Sequence, residues 1–183
     1  MFVARLFSLA LVSVACASTL NVRQTTNTNA AIQTILDPLS ITTRNVASTI
    51  STLQSNHTLS ATTLATQLTA LENAFKTATT KLAATATSSG SNTTDPVNND
   101  LGDNFGDSIQ LVATSLSGIT AQGSVSNFAS QMTTLDPITA AAVTQFNKTA
   151  PLSFNIVHIL MLDAQQFLTA EGLTATRTAL GFT

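Results

Sequence analysis

The feature that most constrains the fold is an apolar side chain at every seventh position of an early segment. The repeat consists of Ile32, Leu39, Val46 and Leu53, with Ile35, Thr43 and Ile50 between them. Residues seven apart lie on one face of an α-helix, whereas a half-buried strand places its apolar residues two apart. The repeat therefore predicts a helix of about 30 residues with one buried face.

Three further stripes have the same period. The second contains Leu64, Leu68, Leu71, Phe75, Ala78 and Leu82; the third contains Phe105, Ile109, Val112, Leu116 and Ile119; the fourth contains Val125, Phe128, Met132, Leu135, Ala142 and Phe146. Threonine is abundant and favours strands on propensity alone, but no segment alternates over the length of a strand. The sequence thus predicts an all-α fold, a bundle of about five amphipathic helices.

The fifth predicted helix lacks a clear polar face. The run from Leu152 to Leu162 is apolar at most positions, and a helix that is apolar all round is normally surrounded by others. We therefore expect this helix at the centre of the bundle. A short last helix is expected from about Thr174 to Leu180, between Gly172 and Gly181.

Two Asp-Pro pairs fall within the first and fourth stripes. The surrounding sequences are alike and hint at an internal duplication: Leu36-Asp37-Pro38-Leu39-Ser40 and Leu135-Asp136-Pro137-Ile138-Thr139. A proline inside a helix removes a hydrogen bond and clashes with the preceding turn, and aspartate is a favoured N-cap. We expect each pair to interrupt its helix and to start a new one.

The longest predicted loop spans residues 87–104, which are rich in Ser, Gly, Asn, Thr and Asp and have no apolar period. We expect it to be the most flexible internal segment, because it has little apolar surface to offset its ordering entropy. Asp95, Asp100, Asp103 and Asp107 lie in or beside it and are candidate calcium ligands. Their spacing matches no calcium-loop consensus, so we interpret them as caps and solvated residues and predict no metal site.

The N-terminus has the pattern of a secretory signal peptide. Arg5 precedes an apolar run from Leu6 to Val14, and Ala15-Cys16-Ala17 supplies small residues before a cleavage site. The run is about half as long as a membrane-spanning helix, so no transmembrane segment is predicted. We expect residues 1–17 to be removed and residues 18–183 to form a single secreted domain. Cleavage would also remove Cys16, the one cysteine in the sequence.

Charge and motifs argue against most functional classes. Charged residues make up 9% of the chain and the formal net charge is −2, so no basic patch is present to bind nucleic acid. The two histidines, His57 and His158, have no recognisable nucleophile and orienting carboxylate, and His158 is expected to pack in an apolar helix. No metalloprotease, hydrolase, phosphate-loop or dinucleotide motif occurs. We predict a non-enzymatic protein without a cofactor.

Three sequons, at Asn56, Asn92 and Asn147, fall in predicted loops or at helix ends. In a secreted protein they are candidate glycosylation sites. In a chain this rich in Asn, Ser and Thr such triplets also arise by chance.

Much of the chain resembles the fungal hydrophobic surface-binding protein A and cell-wall galactomannoprotein family. The resemblance rests on the signal peptide, the cysteine-free Ser/Thr/Ala-rich helices, the stripe from Leu64 to Phe75 and the Ser/Gly linker. The last third of the sequence departs from it. The resemblance implies a helical, non-enzymatic protein, secreted or in the cell wall, that binds fatty acids or hydrophobic surfaces. A separate secreted family with a similar bundle is the alternative.

An apolar ligand, if one is bound, is expected against the fifth helix. The proposed wall consists of Phe154, Val157, Met161 and Phe167, with Phe75 and Phe128 facing them. A fatty chain suits such a wall because its burial needs no directional partner. The alternatives are a filled core and a structural cell-wall or cell-surface glycoprotein without a small-molecule ligand. The sequence does not specify the ligand or the oligomeric state.

Overall fold

The computed structural model describes residues 28–122 and 125–183. Its helices are α1 (Asn29–Ser55), α2 (Ala61–Ala83), α3 (Asn98–Gln122), α4 (Phe128–Thr149), α5 (Pro151–Leu160), α6 (Gln165–Ala170) and α7 (Thr174–Ala179). Within these two ranges no strand is present, so the all-α prediction is confirmed. The predicted signal peptide lies outside the described residues.

The helices pack around one apolar core. Helix α1 packs against α2 and α3, α2 also packs against α4, α5 packs against α3, and α7 packs against α4. The rings of Phe105 on α3 and Phe146 on α4 stack with their centroids 4.3 Å apart. Phe75 on α2 is fully buried as well. The predicted stripes of the four long helices therefore supply the core.

Threonine is accommodated because its hydroxyl bonds to the carbonyl oxygen four residues earlier in the same helix. Thr43 donates to Leu39 O at 2.7 Å, and Thr79 donates to Phe75 O at 2.8 Å. These bonds satisfy the hydroxyl without withdrawing the backbone from the helix. A threonine-rich sequence can thus form long helices when its apolar period is helical.

The expected interruptions at the two prolines are wrong. Helices α1 and α4 run without a break through Pro38 and Pro137. Both prolines are exposed, so a carbonyl group left without its helical partner can bond to water. The buried side chains of Leu36 and Leu135 also hold the two helices against the core. The aspartates before the prolines consequently lie inside helices and do not cap them.

The expected central fifth helix is also wrong. Helix α5 has ten residues and packs against α3 with one side facing outward. Ser153 and Val157 are buried, whereas Leu152 and Ile159 are exposed. The apolar run ends in the turn at residues 161–164, and α6 follows as a separate short helix. The last helix, α7, lies where the sequence predicted it.

The predicted loop over residues 87–104 is shorter than expected. Helix α3 begins at Asn98, so residues 98–104 are helical. Buried Asn29 of α1 donates from Nδ2 to Pro96 O at 2.9 Å and to Asn98 Oδ1 at 3.2 Å, and it accepts a hydrogen bond from the Ser88 hydroxyl. These bonds attach both ends of the remaining segment to the bundle.

Candidate functional site

The six predicted wall residues lie in several parts of the fold. Phe75, Val157 and Met161 have no exposed surface, and Phe128 at the start of α4 is almost fully buried. Phe154 on α5 and Phe167 on α6 are half-buried and pack against the core. An apolar ligand could therefore reach all six only if the bundle opened.

The inner side of α5 is fixed by two glycines of α3. A Cβ atom at Gly102 would lie 2.6 Å from Ile156 Cβ and 2.8 Å from Ser153 O, and one at Gly106 would lie 2.7 Å from Leu160 Cδ1. Such distances are shorter than atomic contact permits, so the two helices approach each other as closely as glycine allows. This packing determines which side of α5 faces outward.

The outward side of α5 is apolar. We call it the α5 outer face; it comprises Pro151, Leu152, Asn155, Ile159 and, in the turn after the helix, Leu162. The exposed fractions of Leu152, Ile159 and Leu162 are 60%, 50% and 51%. No Asp, Glu, Lys or Arg occurs from residue 151 to residue 162. Charged residues resume at the exposed Lys148 before the face and the exposed Asp163 after it.

Apolar exposure is concentrated on this face. Of the described residues, four large aliphatic side chains are markedly exposed, and three of them belong to the α5 outer face. The fourth is Ile41 on α1, with an exposed fraction of 61%. Single exposed aliphatic residues are ordinary, whereas a contiguous group is typical of an interaction surface. Ile41 therefore provides an internal reference for the group on α5.

Two shallow grooves border α2. The groove between α1 and α2 has a volume of about 320 Å³ and is lined by residues that include Pro38, Ala74 and Lys81. The groove between α2 and α4 has a volume of about 310 Å³ and includes Pro137 and Lys76. Both are at the lower end of the size range of small-molecule sites. Neither is lined by any of the six predicted wall residues.

His158 takes part in packing at the C-terminal end of the chain. Its Nδ1 atom donates a hydrogen bond to Leu180 O at 2.8 Å, because a carbonyl oxygen can only accept. Its ring stacks on that of Phe182 with the centroids 4.4 Å apart. The histidine thus holds the last residues against α5, in agreement with the packing role expected for it.

The acidic residues near the start of α3 serve the helix terminus. Asp100 Oδ2 accepts a hydrogen bond from Val97 N at 2.9 Å, which satisfies a donor at the start of the helix. Partial burial raises the pKa of the Asp103 carboxyl, and the neighbouring carboxylates of Asp107 and Asp100 raise it further. No group of three or more His, Cys, Asp or Glu side chains in the described ranges is arranged to hold a metal ion.

The three sequon asparagines are all exposed. Asn56 comes directly after the end of α1, where His57 has a left-handed φ of 54°. The Asn92 side chain accepts a hydrogen bond at Oδ1 from Asn98 Nδ2 at 3.0 Å, and Asn147 lies in the last turn of α4. Each asparagine is therefore placed where a glycan could extend into solvent.

Asp136 is a structural residue whose partner could not be identified from the sequence. It is almost fully buried, and its carboxylate accepts hydrogen bonds from the backbone N–H groups of Ala175 and Thr176, both at 2.8 Å. The Thr176 hydroxyl also donates to Asp136 Oδ1 at 2.8 Å. Asp136 thus caps the start of α7 from a different helix. The only local signal, an aspartate before a proline, predicted a cap of its own helix.

No helix in the described part of the chain is both long enough and apolar enough to cross a lipid bilayer. A scan against protein-family models gives no match, and a search of curated proteins gives none either. The resemblance to the hydrophobic surface-binding and galactomannoprotein family accordingly stays a prediction from sequence pattern, and the candidate site rests on its geometry alone.

Proposed function

We propose that this protein is a secreted, non-enzymatic binding protein for apolar surfaces such as lipid, and that it binds them through the α5 outer face. The observation that carries the proposal is the concentration of exposed aliphatic side chains on a helix face without charge. Export is proposed from the signal-peptide pattern at residues 1–17. The cell wall is one place where such a protein would act.

The energy of binding would come from removing the face from water. Leu152, Ile159 and Leu162 are each about half exposed, so burial of the remaining surface is worth roughly 1 kcal/mol per residue. Three side chains together give a weak attachment to a surface, and many molecules adsorbed side by side would cover it. Because the face has no charged side chain, few polar groups lose their hydration when it is buried.

Adsorption through this face requires no rearrangement of the core. Binding of a fatty acid against Phe75, Val157 and Met161 would instead require the bundle to open, because these side chains are fully buried. We therefore favour the outer face over the buried wall. The two sites predict opposite behaviour, since only the second would change the packing of the bundle.

The proposal is tested with Ile159→Ser and its matched control Ile41→Ser. Both variants replace an exposed isoleucine, but only the first lies on the α5 outer face. Adsorption is measured as the amount of protein bound to uncharged phosphatidylcholine vesicles and to an alkylated sensor surface. We expect Ile159→Ser to weaken adsorption about fivefold, as about 1 kcal/mol implies, and Ile41→Ser to leave it unchanged.

Equal effects of the two variants would contradict the assignment of the face, and no adsorption by the wild type would contradict the function. Thermal melts of both variants check that the fold is retained. Titration with a fluorescent fatty acid, using Met161→Trp as the variant, tests the buried wall separately. Saturable binding that Met161→Trp abolishes, while the fold is retained, would favour that wall.

The second candidate function is a structural cell-wall or cell-surface glycoprotein without a small-molecule ligand. It is favoured by the exposure of Asn56, Asn92 and Asn147. Mass spectrometry of the secreted protein tests it. Glycans at these asparagines together with no adsorption and no extractable lipid would favour this function over the first.

A further inference from the structure

We propose that the groove between α1 and α2 binds a small organic acid with an apolar body, about the size of octanoate, and that Lys81 binds its carboxylate. The groove has a volume of about 320 Å³ and shares no residue with the α5 outer face. It would therefore give the protein a second ligand, independent of adsorption to apolar surfaces.

The body of this groove is apolar. On α2, three alanines four residues apart form one row along the helix, and their short side chains leave the space that the groove occupies. The side formed by α1 is apolar as well. The apolar lining residues are Ile35, Pro38, Leu39, Ala70, Ala74 and Ala78. Such a lining favours hydrocarbon, because burial of apolar surface needs no directional partner.

A row of polar side chains follows one edge of the groove. Asn73, Thr77 and Lys81 are also four residues apart on α2, and all three line the groove. No hydrogen bond or ion pair joins their side chains to any part of the chain that the structure describes. Among the described lining residues Lys81 is the one that carries a charge. The apolar groove therefore has a cation and two hydrogen-bonding groups available to a ligand.

The sign of the charge selects an acid. Asp37 lies directly before Pro38 but does not line the groove. Its carboxylate accepts hydrogen bonds from the side chains of Gln33 and Asn104. A carboxylate bound at Lys81 would thus complement the charge of the groove, and the Asn73 and Thr77 side chains could donate hydrogen bonds to it.

The groove between α2 and α4 is a matched case in which the polar groups are already paired. It has nearly the same volume, about 310 Å³, and it too contains a proline and a lysine. Its Lys76 forms an ion pair with Glu72 at 3.3 Å, and the hydroxyls of Thr79 and Thr80 donate to carbonyl oxygens of their own helix. An acid would therefore gain less in this groove than beside Lys81.

The volume of the groove between α1 and α2 sets the size of the ligand. At the roughly 30 Å³ that a water molecule occupies in the liquid, 320 Å³ holds about ten non-hydrogen atoms, as many as octanoate has. The groove is shallow, so part of the ligand stays hydrated. We therefore expect a Kd on the order of 1 mM.

The test is a titration of octanoate into the secreted protein, followed by NMR of the alanine, isoleucine and leucine methyl groups at low salt, because salt screens exposed charges. We expect saturable shifts at Ala70, Ala74 and Ala78, and none at Ala141 in the groove between α2 and α4. Octanamide has the same body without the charge and should bind about fivefold more weakly. Shifts confined to the α5 outer face, or no saturable shift at the three alanines, would overturn the site.

Two pairs of variants test the charge and the cavity separately. Lys81→Gln should weaken octanoate binding about fivefold, whereas Lys76→Gln, which changes another exposed lysine of α2, should leave it unchanged. Ala74→Leu should fill the groove and abolish binding, and Ala141→Leu in the other groove is its control. Thermal melts check that each variant is folded. Equal binding by the two lysine variants, or binding retained by a folded Ala74→Leu, would contradict the proposed site.

Discussion

The segments around Asp37-Pro38 and Asp136-Pro137 have closely similar sequences, and each lies in the middle of a continuous helix. Their aspartates nevertheless make different contacts. Asp37 is exposed and accepts hydrogen bonds from the side chains of Gln33 and Asn104. Asp136 is almost fully buried and holds the first backbone N–H groups of α7.

The difference arises from the course of the chain after each helix. After α1 the chain continues directly into the long helix α2, whereas after α4 it returns through three short helices, of which α7 packs on α4. A short helix gains little from its own hydrogen bonds and depends on tertiary contacts. The same local sequence thus supplies a surface residue in one place and an anchor for the C-terminal segment in the other.

The largest expected effect that tests this comparison is that of Asp136→Ala. The substitution removes a buried carboxylate that accepts three hydrogen bonds and leaves the α7 N–H groups without that acceptor, so we expect a loss of about 3 kcal/mol in the free energy of unfolding. The matched variant Asp37→Ala should cost less than about 1 kcal/mol, because its partners can bond to water. Urea denaturation measures both, and similar losses would show that the two sites are equivalent.

An intermediate effect is expected for Thr176→Val. The Thr176 hydroxyl donates across the fold to Asp136 Oδ1, and its removal should cost about 1–2 kcal/mol. Thr43→Val is the control: the hydroxyl of Thr43 is buried too, but it bonds to Leu39 O of its own helix. That carbonyl keeps its helical partner, so the control should change the unfolding free energy by less than about 0.5 kcal/mol. A control loss equal to that of Thr176→Val would contradict the distinction between local and tertiary hydroxyl bonds.

The smallest effects are expected for Pro38→Ala and Pro137→Ala. Each substitution restores a helical N–H donor at an exposed position, which stabilises the folded state. The greater conformational freedom of the unfolded chain partly offsets this stabilisation. We expect each to stabilise the protein by up to about 1 kcal/mol, and the two changes to be nearly equal, since the local backbone is the same. Opposite signs in thermal melts would show that the two prolines are in different environments.

The sequence predicted the long helices because their signal is local. Ile32, Leu39 and Val46 recur at a helical period, and all three are buried as that period requires. The predicted interruptions at the prolines were wrong. The free-energy cost of a proline inside a helix depends on whether the carbonyl group that loses its partner reaches water, and a pattern of residue types does not specify this. The hydroxyl bonds of helical threonines were open to prediction, since they too are local.

The candidate site was less predictable, since it depends on which side of α5 is covered. Residues 152–162 are apolar at most positions, so composition alone does not show that Val157 is buried and Ile159 exposed. The close approach of Gly102 and Gly106 separates them, because it buries one side of α5 and leaves the other exposed. Both glycines lie about 50 residues before α5, beyond the range of any periodicity.

The contact between α3 and α5 also limits how this sequence can vary. At Gly102 an added methyl group would overlap with Ile156, and at Gly106 it would overlap with the end of the Leu160 side chain. At position 106 the contact is with Leu160 Cδ1, the end of a flexible side chain that can rotate away, whereas at position 102 it is with Ile156 Cβ and the backbone oxygen of Ser153, which cannot. Descendants of this chain are therefore expected to retain glycine at position 102 and to accept alanine more readily at position 106.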